Sequence, residues 1–270
     1  MPELPEMENY KNQLQSHLIG KEITEVTVNR SKSINVAKET FQQQVHNRKI
    51  LDVERRAKYL LFHLDSGKQL LLHLMLGGKM YLGSQNDSPD RTKQVVLSFG
   101  SVDLFFIGLR LGYLHLLSPE QVEQEMGDLG PDPLSPELTL DNFRQRLETK
   151  RSMLKSALVD QSWISGIGNR YSDEICFAAA LSPEKKVNEL DQEEVSRLHI
   201  AIQDVLAEAT HLGGYMDMPF YKGDNTTGGY LPYFKVHGRE EEPCPRCGTP
   251  VVVEEVASHK TYYCPNCQKE

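Results

Sequence analysis

The sequence contains no run that approaches the roughly 20 consecutive apolar residues a membrane-spanning helix requires. Its richest apolar stretches, 59–64 and 70–76, are short and interrupted by His63 and His73, so they read as buried strands. No basic segment followed by an apolar core opens the chain, which predicts no secretory leader and a cytoplasmic protein. Internal repeats and low-complexity tracts are missing as well. So is any excess of positive charge: 30 Lys and Arg face 38 Asp and Glu, a formal net charge of −8. As an average this argues against a polyanionic partner, since binding phosphates rests on neutralising them. The average hides two basic clusters, however: Arg48, Lys49, Arg55, Arg56 and Lys58, then Arg144, Arg146, Lys150, Arg151 and Lys155. A ligand meets the local field rather than the sum, so composition leaves the partner open. With 39% hydrophobic residues and 19 glycines, 270 residues suffice for two domains, or one with an appended module, and exclude a disordered chain.

Cysteine is sparse but concentrated. Four of the five cysteines form the pairs Cys244-x-x-Cys247 and Cys264-x-x-Cys267, with 16 residues between them. That spacing fits two knuckles holding one zinc ion through four thiolates. A disulfide framework is the rival, and the missing leader argues against it. Between the pairs, residues 251–256 read as a β-hairpin with a turn after it. Cys176, beside Ile175, Phe177 and three alanines, reads as a buried apolar thiol.

Along the chain, Met7, Tyr10, Leu14 and Leu18 recur at helical spacing and predict a helix over 5–18. Short β-rich runs follow at 23–28, 49–55, 59–64, 69–76, 95–99 and 104–111, a rhythm of a sandwich or barrel. The Gly-Pro-Asp-Pro-Leu-Ser-Pro stretch within 127–137 marks a break. Helices are predicted over 140–147, 152–160 and 169–180. A longer one follows Asp191, a plausible N-cap, with Val195, Leu198, Ile202, Val205, Leu206 and Ala209 on one face. Gly213 and Gly214 end it and open a polar segment, 214–233, long enough to be a functional lid.

Three places carry chemistry. Removal of Met1, the usual processing when proline follows, exposes the secondary amine of Pro2. Such an amine can attack an electrophilic sugar carbon and give an iminium, an electron sink. Glu3 and Glu6 supply carboxylates for proton transfer; the bland alternative is an ordinary helix start with acidic residues favouring its dipole. Lys58 lies in a basic cluster entering an apolar strand, where it is either functional or simply solvated. Gly166-Ile167-Gly168-Asn169 leads into a helix, either as an anion cradle or as a tight turn.

Met-Pro-Glu-Leu-Pro-Glu, Arg55–Leu60, Leu158–Gln161 through Gly166–Asn169, and the terminal cysteine pairs occur in this order along the whole chain. Together they resemble the formamidopyrimidine-DNA glycosylase/endonuclease VIII family. Val236-His237-Gly238-Arg239 and Gly248-Thr249-Pro250 place it nearer the formamidopyrimidine branch. The resemblance implies an α+β fold: an N-terminal β-sandwich with flanking helices (1–132), a helix–two-turn–helix domain carrying the lid (133–235), and a β-hairpin zinc finger (236–270). It implies a bifunctional glycosylase and abasic-site lyase of base excision repair. Oxidised or ring-opened bases would leave through a Pro2 iminium, followed by β,δ-elimination. Pro2, Glu3 and Lys58 are the implied catalytic residues. Lys58 and Asn169 are the implied phosphate contacts, and Lys155 an implied DNA-binding residue, with His259 and Lys260 at the finger tip. Leu76, Arg110 and Leu111 would fill the gap left by a flipped nucleotide. One structural Zn2+, a partner of double-stranded DNA with damaged bases or abasic sites, no membrane, a monomeric state and a location at the nucleoid complete the expectation.

This chain departs from the family pattern at four places. Leu76 and Leu111 stand where methionine and phenylalanine are usual, and leucine cannot stack as a ring does. His259 replaces an arginine and lacks its bidentate fork, leaving Lys260 as a point charge. Tyr215 replaces a threonine. An intact Pro2/Glu3 pair beside these changes predicts a lesion preference shifted away from 8-oxoguanine. The alternative is a paralogue that binds lesions or abasic sites with little turnover. A zinc-ribbon adaptor would explain only the last 35 or so residues.

Overall fold

The computed structural model describes residues 1–269. The chain divides into two compact units, Met1–Gly127 with Leu212–Gly229, and Asp128–His211 with Tyr230–Glu270.

The first unit begins with α1 (Leu4–Leu18), whose stripe of Leu4, Met7, Tyr10, Leu14 and Leu18 is fully buried. Strand β1 (Glu25–Val28) and helix α2 (Lys38–Val45) follow, then β2 (Ile50–Arg56), β3 (Tyr59–Leu64), β4 (Gln69–His73) and β5 (Lys79–Gly83). The unit continues through β6 (Lys93–Ser98), β7 (Asp103–Ile107), β8 (Tyr113–Leu117) and α3 (Pro119–Met126). The strands form two four-stranded antiparallel sheets, ordered β1-β6-β7-β5 and β2-β3-β4-β8. Alternate residues of both, among them Leu60, Phe62, Leu70, Leu72, Leu97, Leu104 and Phe106, enter one core. That two-sheet core is the expected sandwich.

Pairing in β4 ends at His73, so the run expected to reach residue 76 stops three residues early and frees a loop before Gly77 and Gly78. The segment expected over 104–111 likewise ends at Ile107. Strands β5 and β8 and helices α2 and α3 lie in segments the sequence pattern left unassigned. The segment 212–229 belongs to this unit, whereas sequence reading had grouped residues 214–233 with the helices. Its Phe220 is fully buried in the sandwich core, edge-on to Tyr10, and its carbonyl accepts the Leu82 N–H at 2.7 Å.

The second unit holds α4 (Leu140–Glu148), α5 (Leu154–Val159), α6 (Asn169–Ala179), α7 (Gln192–His211) and the hairpin β9 (Val252–Val256) and β10 (His259–Tyr263). Asp191 caps α7, its carboxylate accepting the Glu194 N–H at 2.8 Å. The hairpin closes through a two-residue turn, Ala257-Ser258, both at positive φ, so the break after Val256 is the turn itself. Among the described residues no helix is long and apolar enough to cross a membrane.

Candidate nucleic-acid site and metal centre

In the first unit α1 fixes the start of the chain. Pro2 is buried, and Glu3 and Glu6 are 2% and 1% exposed. Both oxygens of Glu6 are engaged: Oε2 accepts the Glu3 N–H at 2.8 Å and Oε1 accepts the Tyr215 N–H at 3.0 Å. Carboxylates at a helix N-terminus also meet the positive end of its dipole. Gly214 permits this clasp. Its φ is +69°, and a Cβ there would lie 2.2 Å from Glu6 Oε1.

Lys58 is not a solvated strand end. It occupies the two-residue turn Ala57-Lys58 joining β2 to β3, with Ala57 in the left-handed region at φ 52°. The lysine is 5% exposed. Burial pulls its ammonium below the ordinary range, while the negative charges of Glu3 and Glu6 pull it back. The turn thus brings Lys58 to the two carboxylates beside Pro2. His73 completes the group, a residue whose role sequence reading did not single out. It pairs across the ladder with Tyr59, the residue after Lys58, and stacks on that ring at 4.4 Å. Burial first, then the Lys58 charge, push the imidazole down to about 4, so it is neutral at cellular pH. The signal was present in the register: a β3–β4 hairpin turning at 65–67 places residue 73 opposite Tyr59.

Leu76, Arg110 and Leu111 sit on two loops of this unit pressed together. A Cβ at Gly108 would meet the Gly77 carbonyl oxygen at 2.3 Å, and Gln94 Oε1 accepts the Leu109 N–H at 3.0 Å. The loops therefore bring Leu76 and Leu111, 63% and 62% exposed, to the rim of one open cleft with Arg110, Lys79 and Arg91. Two large apolar side chains held in solvent beside cations fit a surface built to be covered.

In the second unit, Gln161 pins the glycine loop before α6. Its amide nitrogen donates to the Val159 and Ile167 carbonyls, both at 2.8 Å, and its oxygen accepts the Gly166 N–H at 3.0 Å. Asn169 opens α6 and donates Nδ2–H to the Lys260 carbonyl at 2.9 Å, while its buried Oδ1 has no hydrogen-bond partner among the described residues. The hairpin tip is thereby tied to the helix start. Lys260 is exposed, its ammonium 5.0 Å from the Tyr262 ring centre. His259 is half-buried; burial, with the Lys155 charge behind it, lowers its pKa, so Lys260 carries the charge at the tip.

Lys155 corrects an expectation. Expected to bind DNA, it is fully buried and does not reach the surface. Its ammonium donates to the Asn169 carbonyl at 2.9 Å, Ser172 Oγ at 2.7 Å and Asp173 Oδ1 at 2.5 Å. The other Asp173 oxygen pairs with His237 Nδ1 at 2.6 Å. Lys155 is thus a support for Asn169, because a buried ammonium needs a matching carboxylate inside. The rest of that basic cluster also braces the unit: Lys150 pairs with Asp160 at 2.5 Å and Arg146 donates to the Trp163 carbonyl at 3.2 Å.

The sulfurs of Cys244, Cys247, Cys264 and Cys267 all lie within 4.8 Å of one another. Tetrahedral zinc with bonds near 2.3 Å places its thiolates about 3.8 Å apart, so the cluster fits the ion. The Arg246 N–H points at Cys244 Sγ at 3.4 Å, a knuckle contact. Arg246 then donates to the Phe177 and Ala178 carbonyls at 2.7 and 3.2 Å, joining the metal centre to the C-terminal end of α6.

Three family models match in order: the Formamidopyrimidine-DNA glycosylase N-terminal domain over residues 1–113, its H2TH domain over 129–217, and the zinc finger found in FPG and IleRS over 241–269. A Desulfitobacterium hafniense protein named formamidopyrimidine-DNA glycosylase is 34% identical over 99% of this chain and 100% of its own length. The chain belongs to the formamidopyrimidine-DNA glycosylase family. A Pelotomaculum thermopropionicum relative of the same name is 35% identical over 100% of this chain and 99% of its own. Among solved structures, the Lactococcus lactis enzyme with abasic-site DNA matches at TM-score 0.92 and 28% identity, over 99% of this chain and 100% of that one. The same enzyme with DNA holding an oxidised pyrimidine matches at 0.91 and 28%, over both full lengths. The family membership makes the chain an enzyme of the glycosylase/abasic-site lyase class with one structural zinc.

Proposed function

We propose that this enzyme excises damaged bases from double-stranded DNA and cuts the abasic strand, with Pro2 as the nucleophile. The observation that carries the reading is the buried Pro2 at the head of α1, beside Glu3 and Glu6, whose charges act on the desolvated Lys58. Met1 must be removed first, because an amide nitrogen has no available lone pair. The Pro2 nitrogen then bonds to C1′ as the damaged base leaves with the electrons of the glycosidic bond. The nitrogen sheds its proton to a carboxylate, Glu3 in this reading. The C1′–O4′ bond opens with O4′ protonated, leaving a C1′ iminium. Loss of a C2′ proton expels the 3′ phosphate, and a second elimination expels the 5′ phosphate.

Lys58 holds a phosphate near the reacting sugar, and its burial strengthens that attraction. Asn169 offers its amide and the start of α6 to a second phosphate. Lys260 supplies charge at the finger tip, and His259 a neutral hydrogen-bonding edge. Leu76 and Leu111 fill the space of the flipped nucleotide while Arg110 meets the base left unpaired.

Borohydride trapping on a duplex with one abasic site tests this. Protein whose first residue is Pro2 by mass spectrometry forms the covalent adduct, and Pro2→Gly loses at least 100-fold in trapping rate while still binding. Trapping that survives Pro2→Gly sinks the nucleophile assignment. DNA binding without any adduct from the unaltered enzyme favours the rival reading, a lesion-binding paralogue. An excision panel reports the lesion preference: release of oxidised pyrimidines or ring-opened purines faster than 8-oxoguanine is expected from the leucine wedge, and the reverse order refutes it.

A further inference from the structure

Tyr215 is 5% exposed and fixed at both ends. Its backbone N–H is held by Glu6 at 3.0 Å, and its hydroxyl donates to the Met1 carbonyl oxygen at 2.6 Å. Gly213 and Gly214, at φ 75° and 69°, turn the chain so that the ring returns to the start of α1. A carbonyl oxygen and the nitrogen that follows it lie about 2.3 Å apart across one amide carbon. Tyr215 Oη is therefore within about 5 Å of the Pro2 nitrogen. Removal of Met1 takes away one acceptor of this hydroxyl and puts a free amine beside it. A phenol both donates and accepts, so it suits an amine before and after attack.

We propose that Tyr215 is a further catalytic residue, whose hydroxyl hydrogen-bonds the Pro2 amine, holds it neutral and releases its lone pair as C1′ approaches. The inference rests on Pro2 being the nucleophile. In the resting enzyme the hydroxyl donates to the nitrogen lone pair, which favours the unprotonated amine. As the N–C1′ bond forms, the lone pair is consumed and the hydroxyl turns to accept the remaining N–H. The proton then leaves to the carboxylate, and Tyr215 is never ionised. The ionisable groups of this corner are Glu3 and Glu6 from α1, Lys58 from the β2–β3 turn, whose charge meets both carboxylates, and His73 from β4, which meets the Lys58 charge. Of these the two carboxylates favour a protonated amine and the Lys58 ammonium opposes it; the Tyr215 hydroxyl adds a neutral donor to that opposition.

The test is the single-turnover trapping rate on abasic-site duplex from pH 5.5 to 9.5, with zinc-loaded, full-length enzyme carrying Pro2 at its terminus. Tyr215→Phe, which removes one oxygen, is expected to raise the acid-limb midpoint by about 1 unit. It then traps about tenfold more slowly at pH 6.5 and converges with the unaltered enzyme above pH 9. Its DNA affinity and urea midpoint are expected to stay put. A Tyr215→Phe profile that overlays the unaltered one, or lies below it by the same factor at every pH, overturns the proposal and leaves the Pro2 reading standing. Trapping that persists in Pro2→Gly overturns both.

Discussion

Lys155→Met is the substitution whose consequence follows most directly from the structure. The lysine and Asp173 are both fully buried and 2.5 Å apart, and the ammonium also holds the Asn169 carbonyl and the Ser172 hydroxyl. Methionine keeps much of the volume and removes all three donors. The charge of Asp173 then stays inside with only His237 against it. Removing one partner of such a pair costs about 3–5 kcal/mol, because the uncompensated charge, rather than the lost contact, dominates. With a urea dependence of about 1–3 kcal/mol per molar, the midpoint falls by roughly 1 M or more. The protein carries its own probe: its one tryptophan, Trp163, lies in this unit, 5% exposed, with its indole N–H on the Arg146 carbonyl. Urea titration followed by tryptophan fluorescence therefore reads this unit alone. Lys155→Met combined with Asp173→Asn is expected to recover at least half of the loss. A single variant within 1 kcal/mol of the unaltered protein, or a double variant worse than the sum, would refute the buried-charge argument.

Two further outcomes follow from the metal centre and from His73. Chelation of zinc, or Cys264→Ser, frees the hairpin that supplies the Lys260 carbonyl to Asn169, so affinity for duplex DNA falls at least tenfold while far-UV signal from the sandwich persists; elemental analysis should find one zinc per chain. His73, at about 4 in the fold against an ordinary 6.5, binds fewer protons folded than unfolded between those values. Stability is fully present above pH 6.5 and declines as pH falls toward 4, by about 1–2 kcal/mol between 6.5 and 5. Urea melts by circular dichroism at the two pH values check this, and His73→Gln should flatten the difference.

What the sequence disclosed depended on the range of the interactions. The zinc ligands were legible because two Cys-x-x-Cys knuckles carry their own geometry. Strand β3 was legible because its apolar run is short, broken only by His63 and buried at Leu60, Leu61, Phe62 and Leu64. By contrast, β5 and β8 follow glycine-bearing loops and were left unassigned. Lys155 read as a surface cation because its carboxylate lies 18 residues on, on another helix. Lys58 hid for the complementary reason: in a basic run it looked solvated, and only the tight turn at Ala57 directs it inward. Glu6, by comparison, could be placed beside Glu3 from helical spacing alone, although its second partner, Tyr215, could not.

Phe220 has one more consequence, for the order of events during synthesis. A side chain needed to finish the sandwich is translated only after most of the helical unit. The nascent first 127 residues leave the ribosome with the place beside Tyr10 unfilled. More than 80 residues of another unit separate that early portion from the side chain that completes its core. The last piece of this half of the enzyme's core is thus supplied by a contact long in sequence.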